Sequence, residues 1–153
     1  MSVTNEGAAF RKGILGNGPV SKATGAISGN PTTALFTVAG GEVLITGLWG
    51  KVTTALSTDG GTYAIQANPD TGDTQTIVTA TDLGTTDTAV GSLIGLDHGT
   101  TAANKFLRGG HVALNAVATT GSIEFVGASS ANGAVTFYVT WVPLTDGATL
   151  VAA

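Results

Sequence analysis

Residues 132–142 read NGAVTFYVTWV, and the alternation inside this string decides the fold class. Val135, Phe137, Val139 and Trp141 fall on one face of an extended chain, and Tyr138 falls on the opposite face. A period of two across four apolar positions describes a strand with one side in a core. Asn132-Gly133 ahead of it is a hairpin turn signal, and Pro143 ends the strand.

The same pattern extends in both directions. After a turn at Thr120-Gly121, residues 122–127 carry Ile123 and Phe125 inward, and residues 111–119 place Val112, Leu114, Ala116 and Ala118 on one face. Residues 34–38 form a short strand closed by Gly40-Gly41. Residues 42–57 form a long one, with Val43, Ile45, Gly47 and Trp49 on one face and Leu44, Leu48, Val52 and Leu56 on the other. Gly47 and Gly50 on either side of Trp49 signal a bulge or a bend. Asp59-Gly60-Gly61 predicts a tight hairpin into residues 62–67. Residues 68–72 (Asn-Pro-Asp-Thr-Gly) predict a further turn, and the Thr-rich residues 74–81 a further strand. Residues 82–104 read as a long loop with one short strand.

About seven strands at short intervals, with no helical stripe, predict an all-β fold, either a β-sandwich or a jelly-roll-like barrel. Residues 32–153 form that single domain. Residues 1–31 hold six glycines, Pro19 and Pro31 and show no sustained period, so they read as an extended N-terminal arm. Its apolar knot of Phe10, Ile14 and Leu15, beside Arg11 and Lys12, is the candidate for contact with a neighbouring chain.

Composition excludes whole classes. The 153 residues carry 6 Lys and Arg against 10 Asp and Glu, a net charge of −4, with only 10% charged residues. Six cations under a negative net charge do not build the basic face that nucleic-acid binding by counterion release requires. No Cys is present, which excludes disulfide scaffolds and thiolate metal sites. The uncharged stretches 23–41 and 125–145 are broken by Asn, Gly, Pro, Ser and Thr, so neither is a membrane-spanning helix, and residues 1–10 lack the basic start of a secretory signal. Thr (26), Gly (23) and Ala (22) make up nearly half the chain, and apolar residues reach 42%. In a chain so apolar and so weakly charged, Thr, Ser and Asn do part of the work of solubility and burial against other chains can do the rest; the alternative is a Thr-rich monomeric β domain.

The search for chemistry returns little. Gly127-Ala128-Ser129-Ser130-Ala131 lacks the second glycine of a nucleophile elbow, and His98 and His111 stand in no metal-ligand spacing. Asp70, Asp73, Asp82 and Asp87 lie in turns, where Asp serves the backbone. Asn68, Asp70 and Asp73 resemble an oxygen-rich calcium loop, but Thr79 stands where the closing Glu belongs. The chain is therefore expected to be no enzyme and to need no cofactor or metal. Trp49, Trp141, Tyr63 and Tyr138 could build a sugar-stacking platform, but the alternation places both tryptophans on apolar faces and favours core packing. Of the four, Tyr138 is expected at a surface or interface.

Two strings go beyond composition: TTALFTVAGGEVLITGLWGKVTTAL at residues 32–56 and GSIEFVGASSANGAVTFYVTWVPLTDGATLVAA at residues 121–153. They resemble the small β-structured virion proteins that tailed bacteriophages encode beside the major capsid protein. The matching elements are Leu35 to Gly41, Val52 to Ala55, Gly121-Ser122, Tyr138 to Trp141 and Pro143 to Ala148. The resemblance implies a decoration, or cement, protein on the capsid exterior, made in the host bacterial cytoplasm, with no catalytic residues. Its partners would be the major capsid protein and further copies of itself, as a homotrimer, with no nucleic acid and no membrane. In that role Phe10, Arg11, Lys12, Ile14 and Leu15 would touch the capsid or a neighbour. The alternatives are a phage tail or fibre module for host recognition and a carbohydrate-binding β-sandwich.

Overall fold

The longest strand pairing joins the two most clearly alternating segments. β4 (Val43–Thr54) runs antiparallel to β10 (Ala131–Pro143), paired from Val43 opposite Pro143 to Thr54 opposite Ala134. The computed structural model describes residues 16–56, 61–82, 88–95 and 116–153. Among these residues the other strands are β1 (Asn17–Ala23), β2 (Ile27–Gly29), β3 (Thr32–Ala39), β5 (Thr62–Pro69), β6 (Gln75–Asp82), β7 (Leu93–Gly95), β8 (Ala116–Ala118), β9 (Gly121–Ala128) and β11 (Thr149–Ala152). No helix occurs among them.

The expected all-β class holds, as two antiparallel sheets. One runs β1-β10-β4-β7, with β2 also on β10 and β8 also on β4; the other runs β11-β3-β9-β5-β6. Their inner faces share one core. Val135, Phe137, Val139 and Trp141 of β10 and Val43, Ile45 and Val52 of β4 join one cluster with Phe36 and Val38 of β3, Ile123 and Phe125 of β9 and Leu150 of β11. Phe125 links the layers, with its ring centroid 5.9 Å from Phe137 in the opposite sheet and 5.9 Å from Tyr63 in its own. Each such side chain contributes about 1.5–3 kcal/mol on burial, so the two aromatic strands anchor the fold. The Tyr63 hydroxyl donates to the Asn132 carbonyl at 3.2 Å, which satisfies its one polar atom inside the core.

The turn at residues 70–74 joins β5 to β6 as a hairpin, as its Asn-Pro-Asp-Thr-Gly start predicts. Two other turn signals serve different ends. Asn132-Gly133 lies inside β10 and pairs with β2, while the chain reverses at Ser129-Ser130 and passes from one sheet to the other. Gly133 has φ 82°, and the register slips between Ala134 and Val135. An Asn-Gly pair advertises a positive φ, and a β-bulge uses one as readily as a hairpin does. Similarly, β4 and β5 lie in different sheets, so the connection that holds Asp59-Gly60-Gly61 is a crossing, not a hairpin. Asp59 and Gly60 themselves lie outside the described residues.

The expected arm of residues 1–31 divides. Residues 1–15 lie outside the described residues. Asn17–Ala23 and Ile27–Gly29 are strands of the body, paired with β10. The β1 sequence, NGPVSKA, hides its strand because Val20 is its one large apolar side chain, and an edge strand needs little more than backbone pairing. Val20 sits opposite Val139 and packs on the core. Deleting residues 1–30 should therefore bare the β10 edge and cost roughly 2 kcal/mol or more of stability. Urea unfolding of the truncated chain tests this, and an unchanged midpoint would return β1 and β2 to the arm.

Candidate functional site

A bulge in β4 gives the first sheet its outer face. The β4–β10 register slips between Thr140 and Trp141, whose partners are Gly47 and Ile45, so Thr46 is the extra residue. Val43 and Ile45 point inward before the slip, and Leu48, Gly50 and Val52 point inward after it. Trp49 consequently faces out, against the expectation that put it in the core with Val43 and Ile45. Trp141 is buried, as expected. Gly47 makes the slip possible at close range, since a Cβ there would stand 2.8 Å from the Thr140 hydroxyl.

Trp49 lies directly opposite Tyr138, and their rings stack with centroids 5.6 Å apart and planes 7° apart. Both are half-buried. One step along the sheet, Thr46 Oγ1 donates to Thr140 Oγ1 at 3.0 Å. Beyond that pair, Val117, Leu44 and Val142 line up across β8, β4 and β10. On the other side of the stack, exposed Lys51 faces out between Thr136 and Leu93. Apolar, hydroxyl, aromatic and cationic rows thus follow one another across a single face.

The second sheet presents different chemistry. Glu124 of β9 accepts from Ser122 Oγ at 2.8 Å and Asn68 Nδ2 at 3.1 Å on one carboxylate oxygen, and from Gln66 Nε2 at 2.8 Å on the other. Thr74 Oγ1 in turn donates to Asn68 Oδ1 at 3.2 Å. Cross-strand pairing creates the cluster, because Gln66 stands opposite Glu124 and Asn68 opposite Ser122. Partial burial pushes the Glu124 carboxyl up, but the hydrogen bonds from Gln66, Asn68 and Ser122 together hold it below its ordinary value.

Comparison with protein-family models, curated proteins and solved structures finds no match.

Phe10, Arg11, Lys12, Ile14 and Leu15 lie outside the described residues, as do His98, His111 and Asp87. Gly16, which follows the five arm residues, is buried beside Trp141 and Val142, where a Cβ would stand 2.7 Å from the Trp141 carbonyl oxygen. Asn68, one of the calcium candidates, spends its amide on Glu124 and its oxygen on Thr74. Among the described residues no three His, Asp or Glu side chains gather in metal-ligand fashion. Glu124 does not stand out in the sequence, because its partners Gln66 and Asn68 are distant along the chain and meet it only through strand register. The alternating polar pairs Gln66-x-Asn68 and Ser122-x-Glu124 were the available signal.

The two outer faces differ in what they can do. The Glu124 cluster satisfies itself internally and stiffens the second sheet, whereas the Trp49–Tyr138 stack offers ring surface to a visitor. Because the folded pKa of Glu124 is lowered, its stabilisation is complete above the ordinary carboxylate value of 4.5 and is lost as pH falls through the lowered folded value. Glu124→Gln should cost under about 1 kcal/mol at neutral pH, because the cluster is only half-buried. Urea midpoints measured across the acid range should fall less steeply for this variant than for the native chain, and parallel curves would contradict the assignment.

Proposed function

We propose that this chain is a decoration protein of a tailed-bacteriophage virion, one that binds the outside of the capsid lattice and stabilises it. What supports this most is where the two resembling strings fall in space. Residues 32–56 contain β3 and β4, and residues 121–153 contain β9, β10 and β11. These strands pair with one another, β4 on β10 and β3 on both β9 and β11, and so form the middle of the first sheet and one side of the second. The resemblance thus covers one connected body, not scattered pieces. Repeated passage of the chain between the sheets supports the jelly-roll-like version of that architecture.

The partners in this proposal are the major capsid protein and further copies of the chain in a trimer, and the place is the capsid exterior. Val117, Leu144 and Val151, each about half exposed, are side chains that such neighbours would cover. No catalytic step and no cofactor enter. A protein that binds the assembled lattice but not its separated subunits stabilises the lattice by mass action, and many copies sum their modest individual contributions. Contacts made by so weakly charged a chain are apolar and hydrogen-bonded, and hence little affected by salt.

Capsids lacking the protein should assemble yet break at lower temperature or weaker osmotic shock, and adding it back should restore them at both low and high ionic strength. Sedimentation should carry it with heads rather than tails. Bare capsids as robust as decorated ones, or co-sedimentation with tails alone, would overturn the proposal.

A further inference from the structure

Four residues run in one row across the outer face of the first sheet. Ser21 of β1 lies opposite Tyr138, Tyr138 opposite Trp49, and Trp49 opposite Gly95 of β7. Directly opposed residues share a face, so the row reads small, aromatic, aromatic, small. Parallel rings at 5.6 Å are offset-stacked, and each covers one face of the other. The second face of Tyr138 is turned toward Ser21 and the second face of Trp49 toward Gly95. Both small residues are exposed. A large side chain at either position would lie against the neighbouring ring and cover it. Instead, among the described residues, only a small residue stands beside each ring in this row, and the space over it is a slot.

The surroundings of these slots are hydroxyl-rich. Thr46 and Thr140 flank the stack on one side and Thr136 and Lys51 on the other, with the Ser21 hydroxyl in the row itself. The Thr46–Thr140 hydrogen bond uses one donor and one acceptor, which leaves the second hydroxyl hydrogen and further lone pairs for a ligand. Lys51 is the one charged side chain facing outward from β1, β4, β7, β8 and β10 among the described residues, so the slots exclude neither neutral nor acidic groups.

We propose that the slots beside Tyr138 and Trp49 bind pyranose rings of an oligosaccharide. A pyranose has one face of C–H bonds, weakly positive, and a rim of hydroxyls. The first suits the negative face of an aromatic ring, and the second suits a border of Thr, Ser and Lys side chains. A peptide side chain would use the ring faces but leave those hydroxyls and Lys51 without matching groups. This site is independent of the capsid proposal, because it rests on the register and stacking of the first sheet alone.

The test follows the indole N–H signals of the full chain by NMR during titration with cellohexaose, chitohexaose, mannohexaose and a galacturonic acid hexamer, each to millimolar concentration. The chain has two tryptophans, so two indole signals are expected. At least one sugar should move the Trp49 signal saturably and leave that of buried Trp141 in place. Two variants place a larger side chain in the row, at exposed positions: Ser21→Leu and Gly95→Val, the latter at a glycine that is not among those with positive φ. The unfolding midpoint of each checks its fold, and each should weaken sugar binding at least tenfold, as should Trp49→Ala. No shift with any of the four sugars would overturn the proposal, as would binding that survives both filled slots. If the variants lose capsid binding while no sugar binds, the slots are a protein contact; the glycan proposal then fails and the capsid proposal stands.

Discussion

The pairing of β4 with β10, and the slip at Thr46 within it, is the constraint on which the rest depends. These are the two longest strands, and together they carry most of the first sheet's share of the core. A strand of period two has no freedom in which side chain faces the core once one residue is placed. Inserting Thr46 resets that phase, so Val43 and Ile45 point in on one side of the slip and Leu48 and Val52 on the other. Gly50 then arrives at an inward position where a Cβ would meet both Val135 and Ile94 at 2.8 Å. The slip sends Trp49 outward, and only then can it meet Tyr138.

Much of the fold was legible because alternation is a strong signal where one face is buried. β3, β5, β9 and β10 all fall within segments whose apolar residues recur every second position. The strands without such alternation are hidden for a physical reason: β1 and β2 read as arm, and β11 carries no strand signal. β1, β2 and β11 supply one or two apolar side chains each, so pairing, not burial, holds them, and pairing leaves no trace in a single sequence. The face of Trp49 was illegible for a related reason. Gly47 marks a bulge near it, but only the register shows on which side of Trp49 the extra residue lies.

The candidate site was less legible than the fold. Tyr138 was expected at a surface from its place opposite Trp141, and it lies on the outer face. Its partner Trp49 was assigned to the core, so the stacked pair could not be foreseen. The Glu124 cluster joins residues that are 56 and 58 positions apart, and strand register alone brings them together. In consequence the two sheets, built on one core, carry unlike exteriors. The second sheet holds an internally satisfied polar network, and the first a pair of aromatic rings bordered by hydroxyls and small residues.

The claim that most needs direct measurement is the outward turn of Trp49. Photochemically induced nuclear polarisation by a dissolved flavin marks only those tryptophan and tyrosine rings that the dye can reach. The chain's two tryptophans and two tyrosines divide evenly on this account. Trp49 and Tyr138 should be polarised, and Trp141 and Tyr63, each 8% exposed, should be silent. A silent Trp49 beside a polarised Trp141 would contradict the slip at Thr46 and, with it, the aromatic face.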